Sequence, residues 1–174
     1  MRLLYNELTN GLHDPQQIAR VIIRLLAAMI LGGLVGIQRQ HSHKPAGLRT
    51  HMLVCLGTAV FVTSCGAVGM AVDAQSRVIQ GIVTGLGFIG AGSILKLSHE
   101  HEIKGLTTAA GVWMTAAIGV TIGLGALGIA IVATILTLII LAVATRFEKF
   151  VQEKRTEPNE RADLVSKTQR RDEE

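Results

Sequence analysis

From Gly105 through Thr145 the chain carries not one charged side chain, and between Met52 and Lys96 only Asp73 and Arg77 interrupt a second run of the same kind. Stretches this long and this apolar belong in hydrocarbon, where the backbone must satisfy its own polar groups, and helices do so segment by segment. The rest of the composition agrees: among 174 residues 49% are apolar and only 17% charged, too little charge for an ordinary soluble domain. The expected fold is therefore all-α, a polytopic transmembrane helical bundle.

Five spans are expected, at residues 15–38, 48–70, 77–95, 106–122 and 127–145. Asp14-Pro15-Gln16-Gln17 reads as the first helix start, with Asp14 as cap, Pro15 at the first helical position and Gln17 completing a capping box. The turn Gly123-Leu124-Gly125 separates the last two spans. Residues 1–14 form an N-terminal segment whose Leu3, Leu4, Leu8 and Leu12 can lie on a membrane surface, and no cleavable signal peptide is evident. Residues 15–145 form the transmembrane domain. Residues 146–174 form a charged cytoplasmic tail, helical for a few turns and disordered beyond Pro158.

Two loops echo each other. His41-Ser42-His43-Lys44-Pro45-Ala46-Gly47-Leu48-Arg49-Thr50 is matched by His99-Glu100-His101-Glu102-Ile103-Lys104-Gly105-Leu106-Thr107-Thr108, and at the same offset Ala59, Val62 and Thr63 fall on Ala117, Val120 and Thr121. Either the chain holds two helix-loop-helix units plus a fifth helix, or two apolar helices match by chance.

The basic residues set the orientation. Arg39, Lys44 and Arg49 surround the first loop, Lys96 and Lys104 the second, and Arg146, Lys149, Lys154 and Arg155 follow the last span, while the other side has little beyond Arg77. The positive-inside rule puts both echoed loops and the C-terminus in the cytoplasm and the N-terminus outside. A net charge of +4 is then juxtamembrane charge, and no nucleic-acid partner is expected. Cys55 and Cys65 are too far apart along one helix to bridge each other and read as small apolar residues.

Glycine marks close helix packing. Gly32, Gly33 and Gly36 give the first span a surface for a neighbour. Gly81, Gly85, Gly87, Gly90 and Gly92 make the third a helix held by its neighbours or interrupted partway. Arg20 and Arg24, one turn apart, either snorkel to headgroups or have a buried partner.

Enzyme signatures are absent: there is no Walker loop, metalloprotease helix or GxSxG, and no acid inside a span, so neither enzyme activity nor a cofactor is expected. His41, His43, His99 and His101 are the one tempting metal feature, read otherwise as solvated loop histidines, and no metal is assigned. Spans two and four start at the same face, where Lys44, Arg49 and Lys104 lie beside Thr50, Thr107 and Thr108. That arrangement suits an anion or acidic segment, or else is ordinary capping with topology-setting charge.

Taken together, Gly36, the loop Lys44-Pro45-Ala46-Gly47-Leu48-Arg49-Thr50-His51, the run 81–95, Gly105-Leu106-Thr107-Thr108-Ala109-Ala110 and Trp113 to Gly119 resemble the MgtC/SapB family of bacterial membrane proteins. The resemblance covers about residues 24–144. It implies a polytopic inner-membrane protein, in some members a virulence factor tied to magnesium limitation, that regulates other membrane machinery or ion homeostasis. The family motif falls on Arg24, Gly36, Arg39, Lys44, Gly47, Leu48, Arg49, Thr50, Gly87, Gly90, Gly92, Gly105, Leu106, Thr107 and Thr108. Gln38 and Gln40 stand where the family commonly has Glu, and the tail after Arg146 is too short and polar for the soluble C-terminal domain of virulence-related members.

The functional candidates are thus Arg24, Arg39, Lys44, Arg49, Thr50, His51, Lys104, Thr107 and Thr108. The expected function is a non-enzymatic regulator in the bacterial cytoplasmic membrane. Its expected partners are the lipid bilayer, a membrane protein of unknown identity and, through its small-residue faces, a second copy of itself. The alternative is a transporter or channel for Mg²⁺ or another cation, against which stands the lack of intramembrane acids. A third reading is a passive structural membrane protein.

Overall fold

The computed structural model describes residues 14–42, 44–97, 102–144 and 146. The N-terminal surface segment and the tail therefore lie outside the described residues, as do His43, His99 and His101. Five helices are described: α1 (Pro15–His41), α2 (Leu48–Ala67), α3 (Val72–Gly92), α4 (Leu106–Gly123) and α5 (Leu127–Ala144). Two short strands, β1 (Leu95–Leu97) and β2 (Glu102–Lys104), join α3 to α4. The chain divides into two units, residues 1–138 and 139–174, with the division inside α5. The other helices and the hairpin belong to the first.

Local chemistry sets the helix ends. The Asp14 side chain accepts a hydrogen bond from the Gln16 amide at 3.1 Å, and Pro15 costs nothing at a position whose amide has no helical partner. The start of α1 is where the sequence puts it, although the observed cap bond uses Gln16. At its other end α1 runs past residue 38 to His41, where Ser42 closes it with its amide and hydroxyl on the Gln38 carbonyl. The structure also corrects the expectation that threonines cap α2 and α4. Gly47 and Gly105 occupy the caps, with no side-chain cap bond. Gly105 has φ +104°, and a Cβ there would run into the Ser93 carbonyl, so glycine is required.

α3 departs most from expectation. It begins at Val72 rather than near Arg77, with Asp73 in its first turn and an exposed Asp73–Arg77 ion pair of 2.9 Å one turn along. It then runs without interruption to Gly92 despite its glycines. Its first half holds Asp73, Gln75, Ser76, Arg77 and Gln80, and among the described residues only α1, α2, α4 and α5 are long and apolar enough to cross a membrane. The linker to α4, read as a plain loop, contains an antiparallel pairing with Leu95 opposite Lys104, Lys96 opposite Ile103 and Leu97 opposite Glu102. The all-α reading is therefore amended by one small hairpin.

Burial is arranged for lipid. On α1 the buried residues are Ala28, Gly32, Gly33, Val35, Gly36 and Arg39, one helical stripe, while Ile22, Ile23, Leu26, Ile30, Leu34 and Ile37 face outward. Large aliphatic side chains outside and small ones between helices is the pattern of packing in a bilayer, where close backbone approach replaces the hydrophobic effect. The chain is a multi-pass membrane protein built around α1, α2 and α4. A Cβ on Gly32 would lie 2.6 Å from the Cys55 Cβ, one on Gly36 2.6 Å from the Leu48 Cα, and one on Gly123 2.6 Å from the Val62 Cβ. One on Gly119 would collide with Thr58 and the Cys55 carbonyl. Each distance is shorter than carbon atoms tolerate, so these glycines fix how near the three helices sit.

Candidate functional site

The end of α1 and the starts of α2 and α4 meet in a buried polar cluster. Arg39 is 2% exposed, and its Nη2 donates to the Thr108 hydroxyl at 2.9 Å, with Thr108 itself buried. His51 has no exposed surface, and its Nδ1 lies 2.9 Å from the Gly47 carbonyl. A carbonyl oxygen only accepts, so Nδ1 carries the proton and donates; in the neutral ring Nε2 is then an acceptor. That Nε2 is buried and has no hydrogen-bond partner among the described residues. Gly111 floors the cluster: a Cβ there would stand 3.6 Å from His51 Nε2 and 4.0 Å from Arg39 Nε.

A second arginine joins α1 to α4 at the opposite end. Arg24 Nη1 donates to the Gly123 carbonyl at 3.0 Å, placing a cation on a carbonyl of the last turn of α4, where the dipole is negative. Arg24 and Arg39 are the same number of residues apart as Gly123 and Thr108, so the two bonds hold α1 antiparallel to α4 in one register. A glycine turn makes room, since a Cβ on Gly125 (φ +87°) would lie 2.5 Å from Arg24 Nη2.

The structure thus brings Arg39, His51 and Thr108 together and sets Arg24 apart. Arg39 was counted with the loop charge; continuation of α1 to His41 turns it inward instead. Lys44 is half-buried in the α1–α2 connection, its amide 3.2 Å from the Arg39 carbonyl. Arg49 and Thr107 are exposed, and Thr50 is half-buried. Lys104 lies in β2. Thr108 is not a helix cap; its buried hydroxyl accepts from Arg39.

The described residues hold no group of three His, Cys, Asp or Glu placed to bind a metal, and His41 is exposed, with Nδ1 2.9 Å from the Ile37 carbonyl. Both cysteines are buried free thiols.

Of the glycines singled out in the sequence, Gly32 and Gly36 make the close contacts described above and Gly33 an ordinary one at 3.5 Å. Gly81, Gly85, Gly87 and Gly92 face open space, and Gly90 meets only the Ala109 Cβ at 3.7 Å. Among the described residues of this chain they bring no helix close. Sequence reasoning missed Gly111, Gly119 and Gly123. Their signal was there, as Gly111, Thr115, Gly119 and Gly123 recur every fourth residue along one face.

A model of the MgtC family matches residues 25–150, which contain the whole Arg39–His51–Thr108 cluster. The chain belongs to the MgtC family. Protein SrpB of Synechococcus elongatus is 42% identical over 137 residues, 72% of this chain and 75% of that protein. YhiD of Escherichia coli (strain K12), provisionally named a magnesium transporter, is 44% identical over 135 residues, 72% of this chain and 60% of YhiD. Protein MgtC of Salmonella typhimurium (strain LT2) is 45% identical over 117 residues, 67% of this chain and 49% of MgtC. The chain thus spans three fifths of YhiD and about half of MgtC. No solved structure matches it.

Proposed function

We propose that this MgtC-family protein is a non-enzymatic regulator in the bacterial inner membrane. It acts through helix contacts and the basic end of its bundle to adjust membrane ion homeostasis when magnesium is scarce. The observation that carries this reading is the sign of the buried charge. Arg39 sits inside the α1–α2–α4 core, while the one acid within the described helices, Asp73, is exposed and paired with Arg77. Among the described residues no carboxylate is buried that could receive a divalent cation. Cation pathways supply carboxylates or rings of carbonyls.

The orientation with the N-terminus outside and the C-terminus in the cytoplasm rests on the distribution of Lys and Arg, and it requires α3 to cross as a fifth span although it is less apolar than the four long apolar helices. The partners that fit are the bilayer, another membrane protein and a second copy of the chain. Transport of Mg²⁺ or another cation is the second reading, favoured by the name YhiD carries and by the open glycines on α3. The regulator reading is tested by a photocrosslinking residue placed at exposed Arg49 in cells starved of magnesium. A discrete membrane-protein adduct that disappears in magnesium-rich medium is expected. A mutant that crosslinks to nothing, while supporting normal growth without magnesium, contradicts it.

A further inference from the structure

The end of the bundle away from the basic loops holds a polar feature that regulation through those loops does not use. A pocket of about 230 Å³ opens between the start of α1 and the end of α2, lined by Gln17, Arg20, Val21, Arg24, Thr63 and Gly66 among others. Helical spacing puts Gln17, Arg20 and Arg24 on one face of α1. Arg20 is exposed, and Arg24, half-buried, gives one N–H to the Gly123 carbonyl. A guanidinium has five N–H donors, so that bond leaves most of the fork for a second acceptor.

The decisive group is Thr63. It is only 6% exposed, and its Oγ1 is buried with no hydrogen-bond partner among the described residues. Thr58, on the same helix, bonds instead to the carbonyls of Val54 and Cys55. Buried hydroxyls are nearly always satisfied, so the orphan hydroxyl of Thr63, a residue that lines the pocket with two arginines, calls for an acceptor.

The surrounding charge favours an anion. Asp14, the acid nearest in sequence, accepts from the Gln16 amide and does not line the pocket. Asp73 is paired with Arg77. Carbonyls at the end of α2 are taken by the amides of Val68, Gly69 and Met70, which blunts the negative end of that helix. The positive end of α1 lies on the same side.

Depth indicates the source of the anion. At about 1.5 Å per residue α1 is about 40 Å long, against about 30 Å of hydrocarbon, so Arg20 and Arg24 stand about 8 and 14 Å from its start, near the headgroup boundary. Snorkelling alone would bring both arginines to this level, but it gives no account of the Thr63 hydroxyl. We propose that this pocket binds a phosphate group, either that of an anionic lipid headgroup at this membrane surface or inorganic phosphate. Arg20 and Arg24 are its charged donors, and Thr63 and Gln17 complete the hydrogen bonding. Gln17, Arg20 and Arg24 precede residue 25, where the family match begins.

The test uses the full chain in neutral detergent, with phosphatidylglycerol adducts counted by native mass spectrometry in the absence and presence of millimolar inorganic phosphate. Arg20→Gln and Thr63→Val are each expected to weaken the adduct about tenfold, the loss of one charge-assisted or buried hydrogen bond. Arg77→Gln, at the same end but outside the pocket, is expected to change it less than about twofold. Displacement by phosphate assigns the site to the free ion, and resistance assigns it to the lipid; either result supports a phosphate site. Should Thr63→Val fail to fold, exposed Arg20→Gln carries the test. Failure of the wild type to hold either ligand overturns the proposal. So does equal weakening by Arg77→Gln, or unchanged binding in Arg20→Gln and Thr63→Val proteins that melt like the wild type.

Discussion

The two helix pairs that echo each other in sequence share their landmarks but not their packing. α2 begins at Leu48 after Gly47, and α4 begins at Leu106 after Gly105, the same offset as the echo itself. Gly32 on α1 faces the His51 carbonyl and the Cys55 Cβ with no room for a methyl group; the echoed pair on α3 and α4 is Gly90 facing Ala109 across an ordinary 3.7 Å contact. Thr108 is buried under Arg39, whereas its counterpart Thr50 is half-buried. The position that answers Arg39 is Leu97, in strand β1. Similar sequences thus yield a tight pair, α1–α2, and a loose one, α3–α4, joined by a hairpin, while Arg39 ties α1 across to α4. What separates them is where glycine meets backbone, not how much glycine there is.

That difference can be broken experimentally. The largest effect is expected from Gly119→Ala and Gly36→Ala, whose new methyl groups would press on neighbouring backbone that cannot yield. Each should cost about 3 kcal/mol, read as a lower midpoint of denaturant unfolding in mixed micelles. Thr108→Val removes an acceptor from a buried guanidinium and should cost about 2 kcal/mol, while Thr50→Val stays within about 0.5 kcal/mol. Equal costs at the two positions would show that the pairs are not distinguished by the arginine. Gly85→Ala, with nothing within 4 Å of the new methyl, should instead stabilise α3 by about 0.5–1 kcal/mol through helix propensity, unless a partner helix occupies that face. A loss of stability or of self-association there would mean that the open glycines serve an interface between chains. Smallest is Asp73→Asn, which should cost about 0.3–0.5 kcal/mol and nothing in high salt, since the ion pair with Arg77 is exposed.

Much of this was legible in the chain. The spans were, because uncharged apolar runs admit few other folds, and the turn around Gly123 and Gly125 bounded α4 and α5 to within a residue. The hairpin was not, since three-residue strands in a polar loop leave no periodicity to detect. Glycine density pointed to α3, yet density says nothing about which glycine faces a helix; the every-fourth spacing from Gly111 to Gly123 was the better signal. Arg39 was visible as a basic residue beside a basic loop. Its burial depended on whether α1 stopped before it or carried it inward, and helix ends are the part of a sequence reading that a single turn can shift.

Among the described residues the core buries an arginine and no carboxylate, the feature on which the proposed regulator role turns. Mg²⁺ uptake into sealed vesicles reconstituted with the purified chain, compared with protein-free vesicles and with Arg39→Ala, tests that most directly. No saturable uptake above the protein-free level is expected from the folded wild type. Saturable uptake by the wild type would contradict the regulator reading, and its loss in Arg39→Ala would place the ion's route beside that buried arginine.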